Sequence, residues 1–254
     1  MNHLLPRFLM LTVGLLTLNN PIVQAQQTEA KGISFYVIRV IYPQSAKKGV
    51  TLTAYNKSDQ AYLMQSWIRP VDPLTGDVDI THADQAATPF IATPPLQRLE
   101  ANDELTLRLR RNGQPLPTDR ESVFFISMKA IPSQAKSDKP QKTGQMIMTV
   151  VSNIKLFYRP EGLVKRAVAD VASQLHFRRE GNALIAENPT PYWLTFSHLK
   201  VGAVALGKPA LRLMVPPKGK QRYALPGNSR LSGNVTWQLI DEDGWNTPVA
   251  QQAL

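Results

Sequence analysis

The residues of this chain best equipped for chemistry do not assemble into a catalytic set. Beyond residue 25 it holds three histidines, His82, His176 and His198, which show no paired metal-ligand spacing, and no nucleophile elbow is present. The chain has no cysteine, which excludes thiolate metal sites and cysteine nucleophiles. Two acidic pairs, Asp103-Glu104 and Asp241-Glu242, sit among turn residues and read as solvated. No enzyme activity, metal or cofactor is expected. Four tryptophans, Trp67, Trp193, Trp237 and Trp245, could stack on sugars in a secreted adhesin or carbohydrate-binding module. Their strand and strand-end settings favour packing in a core or interface instead.

Charge narrows the partners. Residues 1–25 read as an export signal: Arg7, an apolar stretch over 8–18, then Asn19, Asn20 and Pro21, and small residues up to Ala25. Cleavage is expected after Ala25, with Ala30 as the alternative. The apolar stretch is too short to span a bilayer comfortably, no later segment approaches one, and membrane insertion is not expected. Without residues 1–25 the chain keeps 28 bases against 19 acids, a formal charge of +9. The bases are scattered and lack a helical stripe, so a soluble surface that mildly attracts acidic partners is expected, not nucleic acid.

The elements that must position any site are strands. Runs rich in Val, Ile, Phe, Tyr and Thr recur between turn residues over 32–42, 50–55, 62–68, 121–131 and 145–158. Residues 105–110 alternate Leu105, Leu107 and Leu109 with Thr106, Arg108 and Arg110, the pattern of a strand with one wet face. After Tyr158-Arg159-Pro160-Glu161-Gly162 a second series opens over 174–177, 183–187, 192–199, 210–215, 221–224 and 235–240. The expected fold is all-β, with a first domain over 26–157, a linker over 158–164 and a second domain over 165–254.

Residues 133–144 form a polar loop between two strong strands. The segment that follows alternates: Met146, Met148 and Val150 fall on one face, Ile147 and Val151 on the other. One set can pack in its own domain while the other is offered to a partner.

Several motifs resemble the periplasmic pilus chaperones of the chaperone–usher pathway. They are IRVIYP (38–43), FIATPPLQRLE (90–100), LPTDRESVFFISMKAIP (116–132) and NIKLFYRP (153–160). NPTPYWLTF (188–196) and VTWQLIDEDGW (235–245) extend the likeness across the second half. The resemblance implies two immunoglobulin-like sandwiches in an L, with a cleft between them. It also implies a chaperone that binds incomplete pilus subunits, lends each a strand and hands it to an outer-membrane usher. Self-association of the free protein is left open. The short loop before the lent strand resembles the subgroup that mostly serves rod-like pili.

On the same footing, Arg39 and Lys155 match the cleft pair that anchors a subunit's C-terminal carboxylate. Met146, Met148 and Val150 become the donor residues, and two methionines suit a surface that must accept several grooves. Glu121, Arg159 and Asp243 match an ion-pair network between the domains. Strict alternation puts Lys155 on the face of Ile147 and Val151, not with the donors; a bulge or strand end between Val150 and Lys155 would reconcile the two, and the sequence does not prove one.

Overall fold

The computed structural model describes residues 31–81, 88–133, 148–226 and 233–254. The export-signal segment, His82, Met146, Ile147 and most of the polar loop lie outside the described residues. The first half supplies β1 (Ile33–Ser34), β2 (Arg39–Pro43), β3 (Val50–Asn56), β4 (Tyr62–Arg69) and β5 (Phe90–Thr93). It continues with β6 (Leu96–Leu99), β7 (Glu104–Arg111), β8 (Ser122–Pro132) and β9 (Val150–Arg159). These strands close into a sandwich of two sheets, ordered β1-β3-β7-β5 and β2-β9-β8-β4-β6.

Alternation explains this core. In β7 the leucines at 105, 107 and 109 are buried while the intervening residues are exposed. With Leu52 and Ala54 of β3 they pack against Met64, Ile126, Met128 and Leu156 of the other sheet. Each such side chain contributes about 1.5–3 kcal/mol of apolar burial.

The run over 32–42 is not one strand. β1 pairs antiparallel with β3 in one sheet, and β2 pairs in parallel with β9 in the other. The chain changes sheets between Ser34 and Arg39, leaving Tyr36, Val37 and Ile38 exposed. β9 also runs on through Tyr158 and Arg159, two residues past the expected end of the first domain at 157, because both pair with β2.

The second half opens with α1 (Val168–Val171), a 3-10 turn (Ala172–Gln174), β10 (His176–Glu180), β11 (Ala183–Asn188), β12 (Phe196–Val201) and β13 (Val204–Ala205). It ends with α2 (Lys208–Arg212), β14 (Gly219–Ala224), β15 (Asn234–Leu239) and β16 (Ala250–Ala253). Sheets ordered β10-β11-β14 and β13-β12-β15-β16 enclose an aromatic core. Phe177 lies 4.7 Å from Trp237, and Phe196 meets Tyr223 edge-on at 5.6 Å. The strand expected over 210–215 is instead the end of α2 and an isolated bridge from Val215 to Leu194. Gly207 and Pro209 supply the helix start that the apolar run concealed.

The two sandwiches thus have the immunoglobulin-like architecture, within one compact unit spanning 31–254. Among the described residues no helix is long and apolar enough to cross a membrane.

Candidate functional site: an open strand edge ending at two cations

β9 is paired on both sides for only half its length. β8 accompanies it from Val150 to Tyr158, whereas β2 joins its other edge only from Lys155, opposite Arg39, to Arg159. Among the described residues, the outer edge of β9 before Lys155 has no strand beside it.

The β8–β9 register is unbroken from Val150 to Tyr158, so no bulge stands between Val150 and Lys155. One face of β9 carries Ile154, Leu156 and Tyr158 into the sandwich core. The same face continues back to Val150, 59% exposed, and Met148, 73% exposed. This row, interrupted only by Ser152, therefore fills its own domain and then runs out uncovered. The expected division into one self-packing face and one donating face is corrected. Lys155 does stand on the opposite face from Val150, beside Arg39.

That second face looks onto the other sandwich. The Arg39 Nη1 donates to the carbonyl of Ile240 at 2.8 Å, and its guanidinium lies 5.2 Å from the centre of the Phe157 ring. Phe157 packs with Val123 and Met214, joining the two cores. Arg39 and Lys155 line an open hollow of about 220 Å³ with Asn153, Thr195, Asp77 and Arg212. Two buried polar atoms beside it have no partner among the described residues: Arg39 Nε and Thr195 Oγ1. Buried donors without acceptors are costly, and an incoming acceptor would relieve them.

Electrostatics point the same way. Burial lowers the Arg39 guanidinium to about 10, although Glu242, Glu121 and Asp241 pull against that shift. Burial, and then the charge of Arg39, lower the Lys155 ammonium to about 8, with Asp77 opposing. An anion in the hollow would reverse both effects.

The Lys155 shift has a stability consequence. The unfolded lysine holds its proton to about 10.5, so between about 8 and 10.5 unfolding takes up a proton and stability rises with pH. Below 8 the folded protein keeps a desolvated ammonium at full penalty. Lys155→Met should therefore stabilise the free protein at pH 7, by about 1–3 kcal/mol, and lose that advantage by about pH 10.5. Urea melts across that range measure it.

A second cluster joins the sandwiches beside this hollow. Arg159 Nε donates to Glu121 Oε1 at 2.7 Å and Nη1 donates to Glu242 Oε1 at 3.0 Å. The same nitrogen donates to the carbonyls of Val164 and Lys165, and the guanidinium lies 4.9 Å from the centre of the Tyr192 ring. Glu121 Oε2 accepts from the Trp193 amide at 2.9 Å, and Glu242 Oε1 from the Ala167 amide at 3.0 Å. Burial raises the Glu121 carboxyl above its usual range, and the Arg159 charge holds it back.

Comparison with known proteins decides the family. The pattern described as "Pili and flagellar-assembly chaperone, PapD N-terminal domain" matches residues 32–164, and "Pili assembly chaperone PapD, C-terminal domain" matches residues 170–251. The chain belongs to the PapD-type pilus assembly chaperones. "Chaperone protein FimC" of Escherichia coli O6:H1 is 36% identical over 89% of this chain and 86% of its own length. "Probable fimbrial chaperone LpfB" of Escherichia coli O157:H7 is 37% identical over 87% and 88%. Among solved structures, the chain resembles that of the Salmonella enterica SafA pilin in complex with the SafB chaperone. The match has a TM-score of 0.74 at 29% identity, over 89% of this chain and 98% of that one. The E. coli chaperone DraB gives 0.70 at 30%, over 88% and 99%.

In this chaperone the third member of the Arg159 cluster is Glu242, not Asp243 as the motif led us to expect. Asp241 explains the displacement: its Oδ1 accepts from the amides of Asp243 and Trp245, folding a tight turn. That turn leaves Asp243 outside, bonded to Arg166 at 2.9 Å, while Glu242 enters. Reading the sequence also missed Thr195, Asp77 and Arg212, which come from the approach to β12, the hairpin after β4 and the end of α2, and share no local motif. Trp237 is buried and Trp193 bonds the Glu121 carbonyl through Nε1, as core and interface residues. Trp245 is exposed.

Proposed function

We propose that this protein is a periplasmic chaperone that completes unfinished pilus subunits with β9 and delivers them to an outer-membrane usher. The observation that carries the reading is the open edge of β9 ending at Arg39 and Lys155. It favours this reading over a surface adhesin, which has no need of a vacant strand position.

The lane beside β9 also sets the guest's direction. β2 lies in that lane, parallel to β9, and begins at Arg39. A guest strand in the vacant stretch, running parallel to β9, would end against Arg39 and present its terminal carboxylate to two cations. An antiparallel guest that began there would present its terminal ammonium, which they repel. Arg39 Nε, Lys155 Nζ and the Thr195 hydroxyl offer the carboxylate donors. Because the carboxylate would lie within the sheet's lane, Lys155 need not share a face with Met148 and Val150.

Those two side chains, with Met146, would then enter the guest's own core. Burying each contributes about 1.5–3 kcal/mol before the losses of association. Met148→Arg and Val150→Asp should leave the free protein's Tm nearly unchanged, since both side chains are exposed. Each should weaken subunit capture at least about tenfold. Co-purification of a co-expressed subunit measures it, and undiminished capture by the double variant would reject the donor role.

A further inference from the structure

The hairpin over residues 70–79, between β4 and β5, crosses to the second sandwich. Val71 and Val78 bridge its base. The Asp72 carboxylate accepts from the Leu74 amide at 2.8 Å and the Thr75 hydroxyl at 2.9 Å, which tightens the turn. Gly76 follows with φ +72°, and a β-carbon there would collide with the Arg212 carbonyl, so hairpin backbone rests on the end of α2. Arg212 Nη1 then donates to Asp77 Oδ2 at 2.7 Å.

Both residues of this pair line the hollow that contains Arg39 and Lys155. The hollow thus holds three cations and one acid, and that acid is bound to Arg212. The Arg212 side chain stays half exposed at the mouth, and a guanidinium has further N–H donors beyond the one Asp77 engages. In the proposed parallel lane, side chains of the guest's last two residues point to opposite faces. One of them must share the face of β9 that carries Asn153 and Lys155, which line the hollow together with Arg212.

We propose that Arg212, positioned by Asp77, is a third cation of the anchor, and that it selects guests with an acidic residue at one of their last two positions. This inference rests on the carboxylate-anchor reading. Its test uses the full chaperone and synthetic twelve-residue peptides of alternating Val and Thr ending in Gln-Gln. Versions carry Glu at the last or the penultimate position, and one ends in an amide. By fluorescence anisotropy, one Glu peptide, and not the other, should bind about three- to fivefold more tightly than the Gln-Gln peptide, the scale of an exposed ion pair. The gain should vanish in Arg212→Gln, persist in part in Arg212→Lys, and grow in Asp77→Asn, which removes the competing charge. A gain that survives Arg212→Gln, or no gain for either Glu peptide, overturns the inference. Wild-type protein that binds acid and amide forms equally overturns the anchor itself.

Discussion

Arg39→Ala combined with Lys155→Ala should abolish capture of pilus subunits by a chaperone that remains folded. Under the proposed anchor, each cation removed would take with it a charge-assisted hydrogen bond of about 1.5–3 kcal/mol to the guest carboxylate, so the pair together would account for a loss of about 10²- to 10⁴-fold in affinity. The loss would also remove the proposed stop for the guest strand's end, and a slip of one residue would turn the wrong side chains toward its groove. Folding should survive, because the double variant gives up one Arg39 hydrogen bond to Ile240 while it relieves two mutually repelling buried charges. Refolding a purified subunit with variant or wild-type protein, scored by light scattering, separates the outcomes. Full protection by the double variant would remove these residues from the site.

Arg159→Ala should produce the largest fall in stability. The side chains of Arg159 and Glu121 are 3% and 1% exposed, and Glu242 closes the group. Truncating the arginine strands two buried carboxylates and frees the carbonyls of Val164 and Lys165. Breaking a buried pair from one side costs about 3–5 kcal/mol, or about 6–20 °C in Tm for a protein of this size. Glu242→Gln should do less, because the amide oxygen can still accept from Arg159 and from the Ala167 amide. Calorimetry of both variants checks the order. A Tm for Arg159→Ala within 2 °C of wild type, an allowance of roughly half a kcal/mol, would show the cluster contributes little.

The strand pattern of the first sandwich was readable because alternation there is strict, as in Leu105, Leu107 and Leu109. The break at Tyr36, Val37 and Ile38 was not, since a strand that changes sheets keeps its β-forming residues through the crossing. The end of α2 hid for a similar reason: Ala210 and Leu211 look like any short apolar run, and only Gly207 and Pro209 mark the helix. At the site, Arg39, Lys155, Glu121 and Arg159 stood inside recognisable motifs. Asp243 was misread for Glu242 because the cap made by Asp241 decides which neighbour turns inward, and three consecutive acids give no hint of that geometry. Whether a bulge preceded Lys155 could not be read from alternation alone, and the uninterrupted pairing of β8 with β9 shows that none does.

The parallel course of β2 along β9 bears on how a guest would leave. A subunit lodged ahead of β2 would be held by slanted backbone bonds, which are slightly weaker per residue than the perpendicular bonds of an antiparallel ladder. Any later strand that enters the same groove in the opposite sense would make the better ladder. Under the proposed mechanism, the direction of one short edge strand thus makes the chaperone's grip temporary, and release can run downhill with no nucleotide to drive it.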